Sequence, residues 1–394
     1  VSVNTESPKG AIVYSDDVTA KYWQLEGKSE EQIQARVAFL VDAIQARTYK
    51  ERFSDMEIRD KYKNAIVIDA LAVGLIGEHP MGMSEEMYEG LNDLAFNNGY
   101  TMMSTTVHTG SPSVGSYEQT VESMKKTQAY QESMGRIQVR SLVDLYRAKV
   151  EGLDAYDFHI QGMSFIDNLD QLEELHGLGL NRANVVYNIR NQYGDGINFN
   201  MTDDDRGLTE MGRQAIRKMN ELGILVDCSH SSDQSCLDAI EVSSQPVILS
   251  HTNPRKLQAV KRNAPDHILR AIADNGGVVC TNMWGAFVNE AMTAGSEDVA
   301  ELVQHTAEVV GKENTCMGVD YVHNLQETID FFVRNPDIYG PEEGYGVPHE
   351  AGEPADIWGV VRVLEERYHW NENEIEGFLG LNYLRVLAEI DRLK

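Results

Sequence analysis

Two stretches decide the reading of this chain: Gly223-Ile224-Leu225-Val226-Asp227-Cys228-Ser229-His230 and Pro246-Val247-Ile248-Leu249-Ser250-His251. Each is a short apolar run that closes on a histidine, and one amphipathic stretch, 232–242, separates them. A polar imidazole at the carboxyl end of a buried parallel strand sits where barrel enzymes place their chemistry. Either histidine alone is better explained as a core residue bonded to a nearby carbonyl. Two on successive strands suggest a shared metal ion.

Strand and helix alternate outward from this pair. Candidate strands fall at 65–69, 101–107, 157–161, 183–188, 223–228, 246–250, 277–282 and 315–320, and stretches such as 209–222 repeat their apolar residues at helical spacing. Eight such units predict an α/β fold, a (β/α)8 TIM barrel over residues 65–394. Residues 1–64 precede it as a mostly helical extension, charged over 30–59. That extension reads as a packing or oligomer element, which leaves room for a homo-oligomer. Residues 325–356, rich in Gly, Pro and Glu, read as a long loop after the last strand that could act as a lid.

Charge narrows the partners. Sixty-two acidic against 34 basic residues leave a net charge of -28. Such a surface repels phosphate backbones and anionic lipid, so nucleic acid and membrane are not expected partners. No apolar run approaches the ~20 residues that span a bilayer. The chain begins at Val1, so a removed targeting segment and the compartment stay open. Cys228, Cys236, Cys280 and Cys316 lack zinc-finger or CxxC spacing and read as packed thiols.

The chain from Ala65 onward resembles the membrane (renal) dipeptidases, peptidase family M19 of the amidohydrolase superfamily. The resemblance rests on Val186-Tyr-Asn-Ile-Arg-Asn-Gln-Tyr-Gly-Asp-Gly196, Gly207-Leu-Thr-Glu-Met-Gly-Arg213 and the two histidine-ending runs. It continues through Arg262-Asn-Ala-Pro-Asp266, Gly318-Val-Asp-Tyr321 and Gly380-Leu-Asn-Tyr-Leu-Arg-Val386. It implies a metal-dependent barrel hydrolase in which His230 and His251 bind one metal of a binuclear zinc centre. It further implies that Asp320 handles the catalytic proton, Arg262 grips a substrate carboxylate and Tyr187 binds substrate.

Three positions depart from the family pattern. Leu71 and Val73 stand where the family has a His-x-Asp pair, and Gln161 stands where it has a metal-bridging glutamate. Neither aliphatic side chain coordinates a cation, and a neutral amide is a weak zinc ligand without the bridge's charge. His159, two residues before Gln161, His108 after the second strand and His323 after Asp320 are surplus histidines. With His230 and His251, His159 could rebuild a site for one divalent metal, zinc being the expected ion; alternatively it packs one layer deeper.

Three functions follow in order. The first is a hydrolase with at most one metal, acting on a small carboxylate-bearing substrate rather than ordinary dipeptides, with Arg262, Tyr187, Gln161, Trp284, His323 and His108 around that substrate. The second is a lyase, decarboxylase or isomerase using Asp320 and the pocket histidines. The third is a catalytically silent binding protein. Trp284 and Phe287, just past the seventh strand, with Leu71 and Val73, suggest a drier pocket than a dipeptide needs.

Overall fold

All eight expected strands are present in parallel, with shifted ends. A computed structural model describes residues 2–3, 12–13, 28–45, 53–77, 82–110, 115–322, 325–340, 343–345 and 349–393. The barrel strands are β1 (Ile68–Val73), β2 (Met102–His108), β3 (Ala155–Ile160) and β4 (Leu180–Ala183). They continue as β5 (Leu225–Asp227), β6 (Val247–Ile248), β7 (Val279–Thr281) and β8 (Thr315–Met317).

Strands β1 to β6 pair in sequence order, and β7 pairs with β8. Single parallel bridges, Leu249 with Val279 and Ala72 with Tyr321, join the two groups into a closed ring. This is the (β/α)8 barrel. Gly318 lies against its neighbour so closely that a Cβ there would sit 1.9 Å from the Ser250 carbonyl oxygen, so no side chain fits.

The strands start and stop where interior polar groups dictate. Asp69, fully buried, accepts from Leu71 N at 3.0 Å and Val319 N at 2.9 Å, tying β1 to the end of β8. Arg182, on β4, donates to Tyr383 Oη at 3.0 Å and faces Asp227 on β5 at 3.4 Å. Strand β4 ends at Ala183 instead of continuing to Asn188, because Asn184 turns its amide to the Ser229 carbonyl. The following irregular segment carries Tyr187 and Asn188 to the barrel mouth.

Helices cover the ring as expected. Helix α2 (Glu210–Leu222) starts on Thr209, whose side chain accepts from Gly212 N, and ends on Gly223 at φ 72°, a left-handed position suited to glycine. Helix α3 (Asp233–Val242) is capped by Ser232.

Two expectations are corrected. Residues 325–356 are not simply a loop: helix α4 (Leu325–Arg334) opens them, with Ile329 and Val333 buried on one face. The Gly- and Pro-rich composition that suggested a loop belongs to the residues after it. Cys280 and Cys316 are not packed thiols; they lie opposite each other in the β7–β8 register and form a disulfide. Cys228 and Cys236 are the buried free thiols. In the N-terminal extension, helix α1 (Glu30–Gln45) packs on α4 through a small apolar cluster of their own. Among the described residues, no helix is long and apolar enough to cross a membrane.

Candidate active site

His230 and His251 follow β5 and β6 at the carboxyl face, and their Nε2 atoms lie 2.9 Å apart. Each ring is held from its far side. Asn188 Oδ1 accepts from His230 Nδ1 at 2.7 Å, and Ser250 Oγ bonds His251 Nδ1 at the same distance. The His230–Asn188 bond sets the tautomer that leaves His230 Nε2 bare. Tyr187 stacks on the His230 ring at 4.1 Å between centroids.

His230 and Asp320 have positive φ, 68° and 59°, although neither is glycine. Conformations of this kind cost energy and gather at functional sites. Both side chains line one pocket with Gln161, Thr109, Tyr187, Trp284 and Phe287. Phe331, Phe332, Tyr339 and Tyr345 hood it from the segment after β8, and the space, counted out to solvent, is about 930 Å³.

Burial is the main cause of the perturbed protonation states. It raises the pKa of Asp320, while Arg262 and the Asn282 amide, 2.8 Å from Oδ2, pull the other way. Burial drives both His230 and His251 well below the ordinary imidazole range, and the Arg262 charge adds to that. Burial thus favours the neutral form of both imidazoles and shifts the Asp320 carboxyl toward its protonated form.

Several expected site residues lie elsewhere or act differently. Arg262 is 2% exposed and stands behind His230. It donates to the His251 carbonyl at 2.8 Å and to Thr252 Oγ1 at 3.2 Å, and Nη2 lies 3.2 Å from His230 Nε2. The guanidinium thus braces the histidines and acts on the pocket through its charge, not as an open fork on the wall. His159 hydrogen-bonds Thr106 Oγ1 at 2.8 Å and Ser104 Oγ at 3.2 Å, one layer below the mouth, so both nitrogens are engaged away from His230 and His251. Gln161 donates to the same Thr106 hydroxyl at 2.9 Å.

His108 does not reach the pocket. It accepts from Gly110 N at 2.7 Å and stacks on Phe165 at 3.8 Å, which makes it a brace for the loop after β2. His323 lies outside the described residues.

The metal expectation can be tested on the donor set. A catalytic zinc site takes three protein ligands and a water. Among the described residues no three His, Cys, Asp or Glu side chains converge to hold an ion. Leu71 is fully buried and Val73 lines the pocket, and a guanidinium contacts one of the two remaining imidazoles. Two donors beside a fixed positive charge do not fit a zinc centre.

Asn188, Ser250, Asn282 and the hood aromatics escaped the sequence reading. Asn188 lies inside one of the quoted stretches and Asn282 ends an expected strand, so both were within reach. Tyr339 and Tyr345 follow no periodic pattern and had no such signal.

A closed parallel barrel with paired histidines and a carboxylate at its carboxyl face is the arrangement in which barrel enzymes place their active sites. The chain belongs to the membrane dipeptidase family, peptidase family M19, whose model matches residues 83–331. It is 29% identical over 234 residues to an uncharacterized dipeptidase of Schizosaccharomyces pombe, covering 58% of this chain and 51% of that protein. The chain thus spans about half the length of that curated relative. An amidohydrolase from Pseudomonas aeruginosa superimposes with TM-score 0.71 at 24% identity, covering 85% of this chain and 98% of that one. The probable dipeptidase PvdM from Pseudomonas aeruginosa superimposes with TM-score 0.67 at 16% identity, covering 90% and 100%. Both solved structures speak to the fold.

Proposed function

We propose that this M19-family chain is an enzyme working by acid–base chemistry on a small carboxylate-bearing molecule with an apolar body, instead of by two-metal cleavage of ordinary dipeptides. The observation that carries the proposal is an altered donor set around an otherwise complete Asp320–His230–His251 constellation. The carboxyl and the His230 ring share one aromatic pocket, while Leu71, Val73 and Gln161 replace the residues that would hold two cations.

In this reading Asp320 gives or takes the proton at the reacting atom. Burial raises its pKa, which makes the carboxylate a better proton acceptor than an exposed one. His230 Nε2, backed by Arg262, borders the same space. Burial raises the pKa values of both Asp320 and Tyr345, and the Arg262 charge opposes that rise at each, so a substrate carboxylate at that end lies in its field. Trp284 Nε1 is a buried donor on the pocket wall with no partner among the described residues, ready for a substrate oxygen. The apolar body fits against Phe287, Phe331 and Phe332.

Hydrolysis of a bond other than an ordinary peptide is the first reaction type, with water activated by Asp320. Decarboxylation, lyase or isomerase chemistry is the second reading, favoured by a buried carboxyl in a largely aromatic pocket. A single divalent ion, zinc by family precedent, is the competing account, and the donor set argues against it.

Elemental analysis of the purified protein, with turnover of L-dipeptides against aryl- and alkyl-substituted carboxylic acids and their esters, tests the proposal. Substoichiometric metal with poor dipeptide turnover is expected. One equivalent of zinc required for activity favours the competing account, and efficient dipeptide hydrolysis overturns the proposal. Absence of both turnover and binding over the panel would leave a silent scaffold.

A further inference from the structure

Helix α1 lies outside the segment matched by the family model, yet its apolar face is spent on the pocket's hood. Ile33, Val37, Leu40, Val41 and Ile44 recur at helical spacing and form one buried cluster with Ile329 and Val333 of α4. Polar contacts fix the register of the two helices. Gln34 Nε2 donates to Asp330 Oδ1 at 3.0 Å, and Arg334 bridges Glu30 at 2.6 Å and Asp330 at 2.8 Å. The other side of α4 faces the pocket with Glu327, Thr328, Phe331 and Phe332. Phe332 stacks on Tyr339 at 4.6 Å and meets Trp284 edge-on at 6.2 Å.

We infer that the N-terminal extension is a specificity element of the pocket: α1 straps α4 down, and by setting the position of Phe331 and Phe332 it sets the size of the apolar body the pocket admits. A ten-residue helix on a barrel rim has little stability of its own. Val37, Ile329 and Val333 are fully buried, so the α1 face supplies the apolar contact that α4 needs on its outer side. The ion pairs are exposed and contribute register more than energy. The inference requires the pocket but not the chemistry proposed for it.

The test uses the full chain with Val37→Asp, Val37→Ala and the conservative Val37→Ile. Hydrogen exchange is followed over α4 and over β2 as a barrel control, together with acrylamide quenching of Trp284, assigned by difference with the same chains carrying Trp284→Phe. In Val37→Asp, α4 should lose protection by about tenfold or more while β2 keeps its own, and Trp284 should become more accessible to acrylamide. Val37→Ala should show the same α4-confined change at smaller amplitude, and Val37→Ile should match the parent. Unchanged α4 exchange in Val37→Asp, or loss of protection in Val37→Ala that spreads to β2, overturns the inference. So does an α4 that loosens without exposing Trp284. These readouts involve no substrate, so failure of the proposed chemistry leaves them intact.

Discussion

His230 Nε2 and His251 Nε2 face each other at 2.9 Å, each ring held from behind by a neutral hydrogen-bonding side chain, Asn188 or Ser250. The bond needs one donor and one acceptor, and the contact to Asn188 Oδ1 makes His230 Nε2 the acceptor. The pair is a polar unit in a buried setting: removing His230 takes the partner from His251 Nε2, and removing His251 leaves His230 Nε2 with Arg262 alone. His251→Ala or His230→Ala should lower kcat/KM by about 10²- to 10⁴-fold, the range general acid–base groups supply. Cys228→Ser, a buried position whose thiol contacts the Cys236 carbonyl at 3.9 Å and the Cys236 side chain, should leave activity within a small factor. Steady-state kinetics on the best substrate of the panel checks both.

Restoring the missing ligands should restore metal. The triple variant Leu71→His, Val73→Asp and Gln161→Glu rebuilds the donors that the family pattern places around His230 and His251. Elemental analysis should then find close to two zinc equivalents per chain, well above the parent's content. A triple variant that folds with parental metal content would show that Arg262, 3.2 Å from His230, is the stronger obstacle.

Asp69 gives stability a pH dependence. Burial raises its pKa to about 7, so the folded chain holds a proton there that the unfolded chain has lost above its ordinary pKa of 3.8. Its contribution is complete below that ordinary value and is lost as pH rises toward about 7, with a slope of up to about 1.4 kcal/mol per pH unit. Asp69→Asn keeps an oxygen acceptor for Leu71 N and Val319 N without the titration. Denaturant melts between pH 4 and 8 should show the parent losing stability relative to that variant as pH rises.

Arg262→Lys replaces a fork that bonds Thr252 and the His251 carbonyl with a point charge. A cost of about 1.5–3 kcal/mol is expected in guanidinium melts, typical for a hydrogen bond to a charged group. KM should rise and kcat should fall together, because the side chain braces the histidines as well as acting on the substrate end. A change in KM alone would restore the open carboxylate clamp.

The Cys280–Cys316 disulfide closes a 36-residue separation between β7 and β8. Loop-closure entropy assigns it about 4 kcal/mol. Thiol titration of the unfolded, unreduced protein should count two free thiols, Cys228 and Cys236, and Cys316→Ser should lower the melting temperature.

The barrel was legible in the sequence because its signals are local: apolar runs of strand length and helical periodicity between them. The same locality exposed His230, His251 and Asp320 at strand ends, and Leu71, Val73 and Gln161 as departures. The disulfide was not legible, because cysteines 36 positions apart become neighbours only through the β7–β8 register. Helix α4 was masked by the composition of the residues that follow it.

The sequence by itself determined the ring of eight units and the family, and it marked Leu71, Val73 and Gln161 as departures from the expected pattern, since those follow from residue identity and spacing along the chain. Tertiary structure decided what the remaining polar groups do. His159 is engaged by Thr106 and Ser104, His108 by Gly110, and Arg262 by Thr252 and the His251 carbonyl, although each had looked available for metal or substrate. A buried donor or acceptor takes whatever partner the fold brings within about 3 Å, and that partner comes from another strand, which linear order does not specify.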